Sequence, residues 1–274
     1  MAETLRNRFW LWGHEAGCYH RHANNGWHIP GASSRMTPAE GAFYMGIPNV
    51  MMVRFGNQPQ PPFRQHALPL LPLQRFIWSI VGDSGSTEND RQPDLQDVLA
   101  LVPEFPNLTG AIMDDFFRRD AARPGRYTVE QIAEFRRQLR SGPRPLDLYV
   151  VTYVHDLDYP IGAHLAAADA TTFWTWKAAQ LHDLEASFRR LEAIAPTTRK
   201  LLGIYMWDFG VGAPMPMAAM QHQCRLGLEW LRTGRIEGMV FLASCIADCD
   251  IEAVEYARKL IAQVGDEPLT PPRS

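Results

Sequence analysis

Eight short apolar segments, each ending abruptly in a polar or ionisable residue, constrain most strongly what this chain can fold into. They are 9–13 before His14-Glu15, 49–53 before Arg54, 76–81 before Asp83 and 110–113 before Asp114-Asp115. In the second half they are 146–154 before His155-Asp156, 171–176 before Lys177, 201–207 before Asp208 and 238–243 before Ser244. Strands of a parallel sheet are covered on both faces and read as unbroken apolar runs. When eight such strands close into a barrel, their C-terminal ends open onto one face, where catalytic residues gather. The pattern therefore predicts an α/β chain, a single (β/α)8 TIM barrel over residues 1–274 with its core at about 8–265.

The bulk properties agree with that expectation. A length of 274 residues fits one barrel, whose typical size is roughly 250, and no Ser/Gly-rich linker divides it. Net charge is -3 and the pI about 6.3. That is no electrostatic footprint for nucleic acid or an anionic membrane, so a small-molecule partner is expected. Arginines number 24 and lysines 3, a bias that a GC-rich genome explains. Of the lysines only Lys177 sits where a Schiff base would form on the active face. Residues 1–8 lack an apolar core for a signal peptide, and no run of about 18 apolar residues suggests a membrane span. Cytoplasmic residence is the expectation. Cys18, Cys224, Cys245 and Cys249 are too few and scattered for a disulfide framework. Cys245 and Cys249 lack the second half of a zinc site and read as ordinary thiols.

Between the strands, residues 16–36 form a long loop rich in His, Asn, Gly and aromatics, a candidate lid. Thr37-Pro38-Ala39-Glu40 is a capping box with proline at the first helical position, and Gly46 is the expected C-cap. Five prolines in 56–74 predict an irregular connection after strand two. Residues 82–86 read as a turn. Helices are expected at 94–102, 129–140, 177–195, 217–232 and 251–264, with Asp250 capping the last. The other α/β architecture, a doubly wound sheet, would need a Gly-rich phosphate turn after an early strand. Gly82-Asp-Ser-Gly85-Ser does not match it.

Chemistry concentrates at the strand ends. Asp114-Asp115 places two carboxylates in an apolar setting after strand four, where a substrate hydroxyl, a metal or an arginine would offset their desolvation. Alternation along a strand lets only one face the axis, unless the second tilts into the loop; a salt bridge to Arg118 or Arg119 is the bland reading. Asp208 after strand seven is the expected partner across the barrel, with Glu15 after strand one as the other choice. His14, His155 and Asp156 are candidate hydroxyl binders, and Arg54 either binds a substrate carboxylate or pairs with an aspartate. Trp27, Trp176, Tyr205 and Trp207 lie near strand C-termini, where flat rings suit the C–H faces of sugars. Most of the remaining tryptophans read as core.

On Gly110-Ala-Ile-Met-Asp-Asp-Phe116, Tyr205-Met-Trp-Asp208 and the Trp-bearing strands, the chain resembles a glycoside-hydrolase-type barrel. The resemblance covers the architecture and implies glycosidic-bond cleavage by two carboxylates, drawn from Asp114, Asp115, Asp208 and Glu15. A spacing near 5 Å implies retention and roughly 6.5–9.5 Å inversion. The chain departs from the Asn-Glu ending and from the D-x-x-D-x-D-x-E pattern of two glycosidase groups, so no family's catalytic residues carry over. No cofactor is expected on this reading. Two alternatives stay open. One is a metal-dependent isomerase, lyase or hydrolase acting on a sugar or polyol, with a divalent ion on His14, Glu15, Asp114, Asp115, His155 and Asp208. The other is a sugar-binding barrel without turnover.

Overall fold

The computed structural model describes residues 3–81 and 94–269. Eight parallel strands close into a barrel: β1 (Phe9–Gly13), β2 (Asn49–Met52), β3 (Arg75–Val81), β4 (Leu108–Met113), β5 (Asp147–Tyr153), β6 (Ala170–Trp174), β7 (Arg199–Tyr205) and β10 (Gly238–Leu242). Each strand pairs with its neighbours in chain order, and β10 closes the ring onto β1 with Trp10 opposite Val240. Each of the eight apolar segments contributes one barrel strand. Their unbroken apolarity has the expected cause, since β1, β2, β6 and β10 are buried along their whole length.

Short helices α1 (Cys18–Arg21), α3 (Arg64–Ala67), α4 (Leu95–Leu99) and α6 (Gly162–Ala167) accompany longer ones, α2 (Pro38–Met45), α5 (Val129–Arg140), α7 (Leu184–Ile194), α8 (Met217–Arg232) and α9 (Glu252–Val264). Helix α2 has the capping box: Thr37 Oγ1 accepts from the Glu40 backbone, Pro38 opens the helix, and Gly46 closes it at φ 67°. The 56–74 stretch is irregular, holding only α3 and one 3-10 turn. Among the described residues no helix is long and apolar enough to cross a membrane.

Three local expectations need correction. The 177–195 helix is a 3-10 segment (Ala178–Asp183) followed by α7. Asp250 does not cap α9; the N-cap is Ile251 without a side-chain bond, and Asp250 sits at φ 53°. Strand seven stops at Tyr205, and Trp207–Asp208 forms a separate antiparallel ladder, β8, with β9 (Ala213–Pro214). Asp83 and the turn at 82–86 lie outside the described residues.

Large side chains fill the barrel. The Trp12 and Trp174 rings meet edge to face at 5.3 Å beneath the C-terminal mouth. Trp174 fits because β7 carries Gly203 opposite it, where a Cβ would lie 2.1 Å from the indole. Its Nε1–H donates to Thr172 Oγ1 at 2.8 Å, so the buried indole is satisfied.

Candidate active site

A cavity of about 400 Å³ opens at the C-terminal mouth, within the range of small-molecule sites. Its floor is Trp12, His14 and Trp174. Part of the wall is aromatic, with Tyr19, Trp27, Phe55, Trp176 and Phe209; part is polar, with Asp114, Asp115, Arg119, Arg126, Tyr153 and His155, the two meeting where Trp176 packs edge-on against Tyr153.

Both strand-four carboxylates reach this cavity, and local backbone geometry explains how. Asp114 continues the β3–β4 ladder, its N–H donating to the Val81 carbonyl at 2.7 Å. It follows Gly110 and Ile112 on the inward face of β4 and is 1% exposed. Asp115 would point the other way in a regular strand. Instead it takes φ 41°, in the left-handed region, which aspartate tolerates better than most residues at a cost of about 1 kcal/mol or more. Arg126 Nε secures the turn by donating to the Asp115 carbonyl at 2.6 Å. The Tyr153 hydroxyl donates to Asp115 Oδ1 at 2.8 Å and so fixes the carboxylate. Burial and the adjacent Asp115 charge hold the Tyr153 phenol well above its ordinary range.

His14 occupies the floor with both ring nitrogens committed. Nδ1–H donates to the Val53 carbonyl at 2.8 Å, and Nε2 accepts from Trp12 Nε1–H at 2.9 Å. Burial pushes its pKa down to about 4, against the opposing effect of the Val53 bond. It is a neutral imidazole in one tautomer. His155 stacks on Tyr153 with centroids 5.2 Å apart and planes at 7°; burial and Arg119 lower its pKa. Trp176 and Tyr205 meet edge to face at 5.7 Å. Trp27 stacks on His22 at 4.6 Å.

The remaining residues singled out from sequence are placed elsewhere. Asp208 does not line the cavity: its carboxylate accepts from the Ala178 backbone at 3.2 Å and the Gly210 backbone at 3.1 Å. The cause is the break after Tyr205, which turns Asp208 into a loop cap. Glu15 points to the surface and pairs with Arg21 at 3.1 Å. Arg54 is buried against Asp94 at 2.6 Å, the aspartate pairing that was one of its two readings. Asp156 lies behind the wall, accepting the Tyr153 N–H at 2.7 Å, with burial pushing its pKa up to about 6. Trp207 is buried, and its Nε1–H holds the Trp27 carbonyl at 2.9 Å. Among the described residues no three His, Cys, Asp or Glu side chains converge as metal ligands. The four cysteines are free, buried thiols.

Sequence reasoning overlooked Tyr153, Arg126, Tyr19, Phe55 and Phe209, read Arg119 only as a salt-bridge partner for the strand-four aspartates, and took His22 only as part of the 16–36 loop. A signal existed for Tyr153, which ends β5 on the same face as Tyr149. Phe55 and Phe209 sit just beyond strand ends. The 16–36 loop is a wall: α1 brings Tyr19 inward, while Trp207 and the 3.3 Å contact of His28 Nδ1 with the Gly212 carbonyl tie it down.

Fold and mouth together define a (β/α)8 barrel with an acidic, aromatic-walled cavity at its C-terminal face. No family model matches the sequence, and no curated protein does. Solved structures show distant likeness to glycoside hydrolases. Active domain 2 of a thermostable chitinase from Pyrococcus furiosus, studied with chito-oligosaccharides, has TM-score 0.56 and 11% identity, over 96% of this chain and 97% of that one. A candidate α-L-fucosidase from Bacteroides thetaiotaomicron has TM-score 0.55 and 12% identity, over 96% of each chain. A xylanase and amylase inhibitor protein has TM-score 0.55 and 12% identity, over 94% of this chain and 98% of that one. At such identities the likeness is one of fold.

Proposed function

We propose that this chain is a carbohydrate-active hydrolase that cleaves a glycosidic bond with carboxylates at the end of β4. The observation that carries the reading is the convergence of Asp114 and Asp115 on one cavity whose lining is otherwise rich in aromatic rings. Sugars offer apolar C–H faces and polar rims, and this cavity offers both complements. In glycoside hydrolysis one carboxylic acid protonates the leaving oxygen while a carboxylate attacks the anomeric carbon or takes a proton from water. The bond from Tyr153 suits Asp115 to the ionised part, because a hydrogen bond donated to a carboxylate oxygen stabilises the negative charge. Asp114, the more enclosed of the two, then supplies the proton. His14, neutral and committed to Val53 and Trp12, shapes the floor. Trp176, Tyr205 and Trp27 receive the sugar face.

One observation favours a second reading. The two cavity carboxylates come from adjacent positions of a single strand, whereas bond cleavage needs them on either side of the scissile bond. A barrel that binds sugar without turnover fits that placement, and the fold is shared with an inhibitor protein.

A panel of aryl glycosides, both anomers of each sugar, separates the two. Hydrolysis by the wild type that falls at least about 100-fold in Asp114→Asn and in Asp115→Asn supports the hydrolase. Turnover untouched by both substitutions would remove the assignment. Binding without hydrolysis across the panel selects the second reading.

A further inference from the structure

The polar wall carries information about the charge of the ligand. Arg119 lies four residues beyond Asp115, in the connection between β4 and α5, and its exposed side chain lines the cavity. Arginines in this chain are mostly spent on carboxylates: Arg54 on Asp94, Arg235 on Glu185 and Glu192, Arg199 on Asp147 and Glu237. Arg119 has no hydrogen bond or ion pair among the described residues, although its wall is acidic. Burial and Arg119 itself lower the pKa of the neighbouring His155, and Arg119 adds positive charge at that edge, with Arg126 in the same lining. The stacked Tyr153 and His155 rings form a flat ledge beside it.

We propose that the sugar taken by this cavity carries a carboxylate, as a uronic acid residue does, and that Arg119 is the residue that selects it. The proposal rests on the carbohydrate reading above. The guanidinium fork matches a carboxylate through two parallel N–H bonds. In a pyranose the anomeric carbon and the carbon bearing the exocyclic carboxylate flank the ring oxygen. One ring can therefore present its reacting end to Asp114 and Asp115 and its charged end to Arg119. A neutral hexose would leave the guanidinium facing a hydroxymethyl group, a weaker acceptor. Selectivity of about 10- to 100-fold is the expected scale for one charge-assisted pair.

The test is calorimetric titration of the full chain at pH 7 with matched pairs, glucose against glucuronate and galactose against galacturonate. Wild type, Arg119→Gln and Arg119→Lys are compared; the exposed position makes a folding defect no obstacle, and thermal melts verify that. In at least one pair the uronate is expected to bind about 10- to 100-fold more tightly. Arg119→Gln loses that preference while binding of the neutral partner is unchanged, and Arg119→Lys restores part of it. Equal or tighter binding of the neutral sugar in every pair overturns the proposal, as does a uronate preference that survives in Arg119→Gln. In either case hydrolysis of neutral aryl glycosides would leave the carbohydrate reading standing. Absence of binding and turnover with every sugar, charged or neutral, overturns both.

Discussion

Two buried groups beside the cavity should give this fold an acid response whose parts are separable by mutation. His14 is neutral in the fold with a pKa near 4, against 6.5 when unconstrained. As the pH falls below 6.5 the unfolded chain takes up a proton that folded His14 refuses. Stability present above pH 6.5 is therefore lost on acidification, by about 3 kcal/mol between pH 7 and pH 4. Asp156 works in the opposite sense. Its pKa rises from 3.8 to about 6, so the folded state holds a proton that the unfolded chain releases. Its contribution is full below pH 3.8 and is lost as the pH rises through 6, by about 2 kcal/mol between pH 4 and pH 7. In the wild type the two slopes nearly cancel. Asp156→Asn keeps an oxygen for the Tyr153 N–H and should unmask His14, giving stability that climbs with pH relative to wild type. His14→Gln, whose amide can serve both Val53 and Trp12, should show the reverse slope. Urea unfolding at four pH values between 4 and 7 reads both differences. Difference curves of the same sign, or flat in both variants, would refute the reasoning.

Other consequences follow from single contacts. Tyr153→Phe removes the hydrogen bond to Asp115 and should lower kcat about 10- to 100-fold with little change in KM; an unchanged kcat on the best aryl glycoside contradicts the positioning role. Asp208→Ala should leave kcat near wild type but cost about 1–3 kcal/mol, because it orphans the Ala178 and Gly210 N–H groups; a large kcat loss with unaltered unfolding would return Asp208 to the chemistry. Gly203→Ala drives a methyl into the Trp174 indole and should cost about 1–3 kcal/mol or more, read as a lowered Tm; an unaffected Tm would mean that the barrel interior is looser than its packing shows.

The eight strands were legible because burial on both faces demands continuous apolarity, a property written locally in each segment. The capping box at Thr37–Glu40 and the amphipathic helices α5, α8 and α9 were legible for the same reason: each depends on residues a few positions apart. So was the concentration of carboxylates after β4. Alternation by itself left open whether Asp115 could join Asp114. The left-handed turn that brings it in is held by Arg126 and Tyr153, 11 and 38 positions away. Asp208 looked equivalent to Asp114 along the sequence, since both follow an apolar run. What separates them is that the chain leaves the barrel wall after Tyr205 to pair Trp207 with Pro214. Arg54 carried two readings until the fold set Asp94 against it. The sequence by itself thus determined that a barrel forms and at which strand ends ionisable groups emerge, because those follow from local apolarity and spacing. Only the tertiary structure decided which of those groups meet in one cavity, because that depends on partners brought together by closing the barrel and on backbone turns they stabilise.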